Sequence, residues 1–154
     1  MFAAAILAST AYNLATKGMK HYSVKAFRKE IERLDWQGYT VEITAVPSAS
    51  LAGNSNAGML LGMGASAMTC PLEKKVYFFW ANIIANAMTP CIEKFGADPV
   101  ETVRHENRHV QQFSAGLSLA AGHEGSYWEN ALEVDARNWA SGKEARTVEE
   151  VFGL

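Results

Sequence analysis

Hydrophobic and polar residues recur along this chain with two different periods, and the periods predict where helices and strands lie. In residues 23–34 the apolar side chains fall three or four positions apart, which predicts an amphipathic helix that ends by Gly38. Residues 39–46 alternate and are rich in β-branched side chains, which predicts a strand that Pro47 terminates. Residues 74–80 read KKVYFFW and predict a second strand.

The C-terminal half of the chain predicts mainly helices. Asp98 is a suitable N-cap, Pro99 is a suitable first residue, and Glu101 lies three positions after the cap. We expect this helix to extend to about residue 115. Further helices are predicted at residues 81–88, 127–140 and 143–152, and continuation of the preceding strand is the alternative for the first of them.

Two N-terminal segments give weaker indications of structure. Residues 1–7 are apolar, but no Lys or Arg precedes the run and it is too short to span a bilayer, so we predict no signal peptide and no transmembrane helix. We expect residues 2–16 to form an ordered helix packed on the domain, with a peripheral anchor or partner-docking helix as the alternative. Residues 48–69 are rich in Gly, Ala, Ser and Met, and either a tight hairpin or a mobile flap fits them.

Length and charge limit the possible classes of protein. The 154 residues predict a single domain, with N-terminal helices, a strand and the Gly-rich segment in residues 1–70 and a core in residues 74–140. The net charge is -2 and the basic residues are scattered, so nucleic acid is not an expected partner. Cys70 and Cys91 are too far apart for a zinc knuckle, and both a disulfide and two buried thiols stay open. We expect a cytoplasmic or virion-associated protein, and the oligomeric state is not predicted.

The strongest chemical signal is the sequence HExxH, formed by His105, Glu106 and His109 within a predicted helix. Histidines four residues apart on a helix point the same way, so both imidazoles can reach one metal ion. Glu106 can then reach a water on that metal and act as a general base. The spacing predicts a zinc-hydrolase site, and the alternative is a helix that carries two histidines on its surface.

Two histidines and a water leave a tetrahedral zinc site one protein ligand short. One large class of zinc proteases has a histidine six residues after the second motif histidine, but this chain has Ala115 there. The glycine that the same class has three residues after His109 is replaced by Gln112, so that class is excluded. His123 is the only other nearby histidine.

Carboxylates on the following predicted helix are better candidates for the third ligand. Glu129 and Glu133 lie four residues apart on one face, and Glu133 has the more apolar neighbours. A carboxylate in apolar surroundings needs a partner, because an unpaired buried charge is costly. A metal ion would supply one, and pairing with Arg137 is the alternative.

The segment RHENRHVQQF, followed by a glutamate 24 residues after His109, resembles the gluzincin metallopeptidases. It is most similar to the minigluzincin-type domains of small bacterial and phage proteins. Those domains have an asparagine-x-leucine-glutamate-x-acidic-alanine pattern on the next helix. The matching residues here are Asn130, Leu132, Glu133, Asp135 and Ala136, whereas Ala131 replaces the usual proline. The resemblance covers residues 74–139.

The resemblance implies a zincin-like α+β domain, in which a small β-sheet packs on the HExxH helix and the following helix carries a glutamate ligand. It implies one Zn²⁺ held by His105, His109 and Glu133, with Glu106 as the general base. The implied activity is hydrolysis of peptide bonds in a peptide or protein substrate.

Other parts of the site follow from how zincin-like enzymes bind their substrates. An edge strand holds the extended peptide by β-augmentation, and we expect residues 74–80 to be that strand, with an ordinary core strand as the alternative. Residues 48–69 are expected to cover the cleft. His123 or Tyr127 is expected to stabilise the oxyanion from the loop between the two helices.

Two other functions compete with the peptidase. One is a structural or virion-associated protein that retains a zinc site for stability, and the other is a zinc amidase that acts on cell-wall or small amide substrates. The intact Glu106 favours an enzyme, because a structural zinc site needs no general base and normally closes its fourth position.

Overall fold

A computed structural model describes residues 21–44, 65–88, 98–118 and 130–154. These residues form five helices and three strands, so the predicted mixture of helix and sheet is confirmed. The helices are α1 (His21–Arg33), α2 (Trp80–Met88), α3 (Pro99–Ser114), α4 (Ala131–Ala140) and α5 (Val148–Phe152). The strands are β1 (Thr40–Thr44), β2 (Ala67–Cys70) and β3 (Lys75–Phe79). The predicted helix at residues 2–16 lies outside the described residues.

The three strands form one sheet in the order β1-β3-β2. Strand β3 pairs with β1 in parallel and with β2 in antiparallel register. The expectation that residues 74–80 form an edge strand is therefore wrong, because β3 is hydrogen-bonded on both sides. Its run of apolar residues has the physical character of a central strand, which is covered on both faces. The edge nearest the HExxH helix belongs to β2, which comes from the end of the Gly-rich segment.

The two faces of β3 carry different clusters, because successive side chains of a strand point to opposite faces. Val76 and Phe78 lie in the main core, together with residues of α1, α2 and α3. The rings of Phe27 and Phe78 meet edge to face, with centroids 5.4 Å apart. Tyr77 and Phe79 point to the opposite face and form a second cluster. The sheet thus packs one face against the helix that carries HExxH.

Helix α1 and the residues just after it contact α3 through polar groups as well as through the core. Glu30 of α1 is buried and accepts a hydrogen bond of 2.8 Å from Nε of Arg104. Asn107 Nδ2 donates to the backbone oxygen of Asp35 at 2.7 Å. Both contacts come from residues next to or within the HExxH sequence, so they fix the position of that part of α3.

The start of α3 has the predicted N-cap and the predicted proline at its first position. The Asp98 side chain accepts a hydrogen bond of 2.9 Å from the backbone nitrogen of Val100, and Pro99 is the first helical residue. The helix ends at Ser114, one residue before the predicted end, and Gly116 adopts a φ of 91° just beyond it. Glycine adopts this left-handed conformation without steric cost, which lets the chain turn away.

The last two helices begin later than predicted, and in both cases a capping residue sets the start. The Asn130 side chain accepts from the backbone nitrogen of Leu132 at 2.9 Å, so α4 begins at Ala131. Thr147 caps α5 through a reciprocal pair of hydrogen bonds with Glu150. No helix in the described residues is long and apolar enough to cross a membrane.

Candidate metal centre

Helices α3 and α4 lie side by side and run in opposite directions. Gln112, near the end of α3, contacts Leu132 at the start of α4. Arg108, one turn earlier in α3, lies over the ring of Trp139 near the end of α4, at 4.5 Å from its centroid. This packing places the first turn of α4 beside the two histidines of α3.

Three side chains converge at this contact. The Nε2 atoms of His105 and His109 are 3.0 Å apart. The carboxylate of Glu133 lies 3.2 Å from the first of these atoms and 3.1 Å from the second. The candidate ligand atoms of all three residues lie within 4.8 Å of one another, and both histidines are buried. The predicted ligand set is therefore brought together by the fold.

The hydrogen bonds around His109 determine which of its ring nitrogens carries a proton. The amide nitrogen of Gln112 faces two groups that only accept, namely the backbone oxygen of Leu132 at 3.0 Å and Oδ2 of Asp135 at 2.7 Å. Oε1 of Gln112 therefore faces His109, 2.8 Å from its Nδ1. Because Oε1 can only accept, Nδ1 must donate, and in a neutral ring the lone pair then lies on Nε2.

That lone pair is the basis for testing whether a metal fits the site. A neutral Nε2 would face a carboxylate oxygen of Glu133 at 3.1 Å with no proton between them, which is repulsive. A cation among the three side chains removes the repulsion, and it can be a proton on Nε2 or a metal ion. Two imidazole nitrogens and one carboxylate oxygen are a donor set that suits zinc. The residues therefore fit the ion that the sequence implies.

Without a metal, the charges nearby favour a proton on His109. Burial opposes the charged ring, but the hydrogen bond that His109 donates to Glu133 and the negative charges of Glu106 and Glu133 outweigh it and raise the pKa of His109 to about 9. Burial also opposes ionisation of Glu133, yet the hydrogen bonds with His105 and His109 hold the pKa of its carboxyl well below the usual range. The free site is thus a proton-bridged ion pair near neutral pH.

A buried ion pair between Arg108 and Asp135 is connected to His109 through Gln112. Arg108 donates from Nε and Nη2 to the two carboxylate oxygens of Asp135, at 2.7 and 3.0 Å, and both side chains are almost fully buried. Oδ2 of Asp135 also accepts from Gln112, which in turn holds His109. Such outer partners fix the tautomer and orientation of a metal-binding histidine. Sequence reasoning assigned no role to this chain of contacts.

Glu106 lies outside the convergent group, as expected of a general base. Its side chain is buried, and its Oε2 accepts a hydrogen bond of 2.6 Å from Oγ1 of Thr69 on β2. The contact with Thr69 joins residues 37 positions apart, so no local sequence signal could have indicated it. It places a strand edge of the sheet directly beside the candidate base.

Several predicted residues lie outside the described part of the chain. They are His123, Tyr127, Glu129 and Cys91, and the expected roles of the first two in stabilising an oxyanion stay predictions. Cys70 is half-buried on β2. Of the segment expected to cover the cleft, residues 65–69 are described, and their last residue is the one that contacts Glu106.

The fold and site together describe an α+β domain with a candidate metal centre between two antiparallel helices. Comparisons of the chain with protein-family models, with curated proteins and with solved structures give no match. The geometry of the site is therefore the basis for proposing a function.

The protonation of the free site predicts how zinc binding depends on pH. At pH 7 the His109 ring, with its pKa raised to about 9, holds a proton that a metal must displace. We expect zinc binding at pH 7 to release about one proton from this ring, and the apparent affinity to rise about tenfold per pH unit from pH 6 to 8. Titration calorimetry in buffers of different ionisation heats measures the proton count. Binding without proton release, or affinity that is flat over this range, would contradict the protonated site.

Proposed function

We propose that this protein is a zinc-dependent peptidase with a gluzincin-like site and a zincin-like arrangement of sheet and helices. The observation that carries the proposal is the convergence of His105, His109 and Glu133 while the glutamate within HExxH stays outside the group. A structural zinc site has no use for a glutamate held beside it in this way. The resemblance to minigluzincin-type domains points to the same activity.

The three convergent residues would hold one Zn²⁺. When bound, zinc polarises the substrate carbonyl and makes a coordinated water acidic enough to react near neutral pH. The protein contributes a fixed set of donors, because Gln112 and the buried pair of Asp135 and Arg108 hold His109 in place. Glu133 lies in the first turn of α4, where the helix dipole favours its negative charge.

Glu106 would accept the proton of the attacking water. Its Oε2 is engaged by Thr69, so Oε1 is the oxygen available for this transfer. The same carboxyl group can then return the proton to the leaving amine of the cleaved peptide bond. A carboxylate that lies next to the three ligands without being one of them is the arrangement that this step needs.

The edge strand that would hold an extended peptide is β2 rather than β3. In the described sheet β2 pairs with β3 on one side, and no other described strand pairs with its second side. An extended substrate that pairs with this second side would lie next to Glu106. The position of Thr69 on β2, in contact with Glu106, supports this assignment.

A peptide library incubated with the zinc-loaded protein tests the proposed function. We expect cleavage that stops when a chelator removes zinc and returns when zinc is added back. A protein that holds zinc firmly yet cleaves no peptide would favour the structural-zinc alternative. Cleavage that survives complete removal of the metal would exclude the proposed mechanism.

A further inference from the structure

We propose that Thr69 is a positioning residue for Glu106, and that it couples the substrate-binding edge of the sheet to the general base. The inference rests on the proposed function and adds a residue outside the HExxH sequence to the active site. It is drawn from one contact that joins an edge strand to the helix carrying the candidate ligands.

The geometry of the contact restricts the orientation of the Glu106 carboxylate. Oγ1 of Thr69 donates to Oε2 of Glu106 at 2.6 Å, and it also lies 3.3 Å from the backbone oxygen of the same residue. A hydrogen bond to an ionised carboxylate is shorter and stronger than one between neutral groups. Because Glu106 is only 6% exposed, little water competes for this oxygen. The hydroxyl therefore selects one orientation of the carboxylate.

Strand β2 delivers Thr69 to a fixed place. Thr69 pairs with Val76 in the sheet, and the start of the strand is held by two amide side chains of α2. Asn82 Nδ2 donates to the backbone oxygen of Ala65 at 2.8 Å, and Asn86 Nδ2 donates to Oγ of Ser66 at 2.6 Å. These bonds hold the start of β2 against α2 before any substrate binds.

Two consequences follow for the proposed reaction. The hydroxyl occupies Oε2, which leaves Oε1 directed to the attacking water and keeps the carboxylate from turning toward the metal as a fourth ligand. A peptide that pairs with the second side of β2 also stabilises the strand that carries Thr69. Pairing of the substrate with β2 therefore favours the orientation of the Glu106 carboxylate that proton transfer needs.

Thr69→Val and Thr69→Ser test this role in the full-length, zinc-loaded protein. Valine matches threonine in shape and favours strands, so we expect Thr69→Val to fold and to keep its zinc. Because outer partners of metal sites typically contribute 10- to 100-fold, we expect kcat to fall about tenfold with KM within about twofold. Thr69→Ser keeps the hydroxyl and should return kcat to within about threefold of the wild type. Thr40→Val, on the opposite edge strand, is the matched control and should change neither constant.

A double-mutant cycle in the metal-free protein measures the contact without relying on activity. The cycle combines Thr69→Val with Glu106→Ala. Because the backbone oxygen of residue 106 is present in all four proteins, the cycle isolates the hydrogen bond between the two side chains. We expect the effects on the unfolding equilibrium constant to be non-additive by about ten- to a hundredfold, as for a buried hydrogen bond to a charged group.

The outcomes separate this inference from the proposed function. An additive cycle, an unchanged kcat in Thr69→Val, a loss confined to KM, or failure of Thr69→Ser to restore kcat would each overturn the role of Thr69 in an active enzyme. A wild-type protein that binds zinc but cleaves nothing overturns the proposed function, and the catalytic role of Thr69 with it, whatever the cycle shows.

Discussion

Replacement of Glu106 by glutamine should abolish most hydrolysis while leaving the zinc site and the fold intact. Glutamine keeps the size of the side chain and an oxygen that can accept from Thr69, but it cannot accept a proton from water. General-base catalysis typically contributes about a hundred- to ten-thousand-fold, so we expect Glu106→Gln to lose at least about a hundredfold in kcat. Initial rates on any peptide that the wild type cleaves, with zinc content measured on the same samples, give the comparison.

The matched control for this substitution is Glu32→Gln on the exposed side of α1. It makes the same chemical change far from the candidate site in sequence, and we expect wild-type kcat and zinc content. If Glu106→Gln hydrolyses peptides as fast as the wild type, Glu106 has no part in the mechanism. If Glu106→Gln loses its zinc as well, the residue supports the metal rather than the proton transfer.

Loss of the Glu133 carboxylate should have the largest effect on metal binding. Both of its oxygens lie within 3.2 Å of a histidine nitrogen, and without it only two protein ligands remain. Removal of a residue that only hydrogen-bonds to a metal ligand typically costs about 10- to 100-fold in metal affinity. Glu133 is itself a candidate ligand, so we expect Glu133→Ala to weaken zinc binding by more than about a hundredfold. Glu133→Gln fills the same volume without the negative charge and should lose zinc as well. Metal analysis after dialysis against a weak chelator measures both.

The control for the third ligand is the other glutamate on the same predicted face, Glu129. We expect Glu129→Ala to keep most of its zinc. Retention of zinc by Glu133→Ala together with its loss in Glu129→Ala would show that the ligand is wrongly assigned and that the gluzincin-like site does not form.

Much of the site could be predicted because residues that are close together in the sequence form it. Two histidines four residues apart are brought together by any helix, and Asp98 with Pro99 marks where that helix begins. Glu133 could be predicted as the third ligand only by assuming, in addition, that the two helices pack antiparallel. The fold does bring this carboxylate to the histidines.

The sheet was harder to predict because strand order depends on contacts between distant residues. The apolar run of β3 was correctly predicted to form a strand, but the same run gave no sign of how many neighbouring strands it has. Strand β2 has only four residues and follows a Gly-rich stretch, so it lacks the pattern of a typical strand. The contact of Thr69 with Glu106 depends on that strand, and it was missed for the same reason.

Capping residues explain the errors at helix ends. Periodicity predicted that this helix starts at residue 127, whereas Asn130 is its N-cap and α4 begins at Ala131. Asparagine is among the best N-caps, so this signal was present in the sequence.

The zinc content of the purified wild-type protein tests the central claim most directly. The convergence of His105, His109 and Glu133 predicts about one zinc per chain, retained through dialysis and lost in Glu133→Gln. A wild-type protein that takes up no zinc at micromolar free metal, or that holds it equally well without the Glu133 carboxylate, would contradict the account.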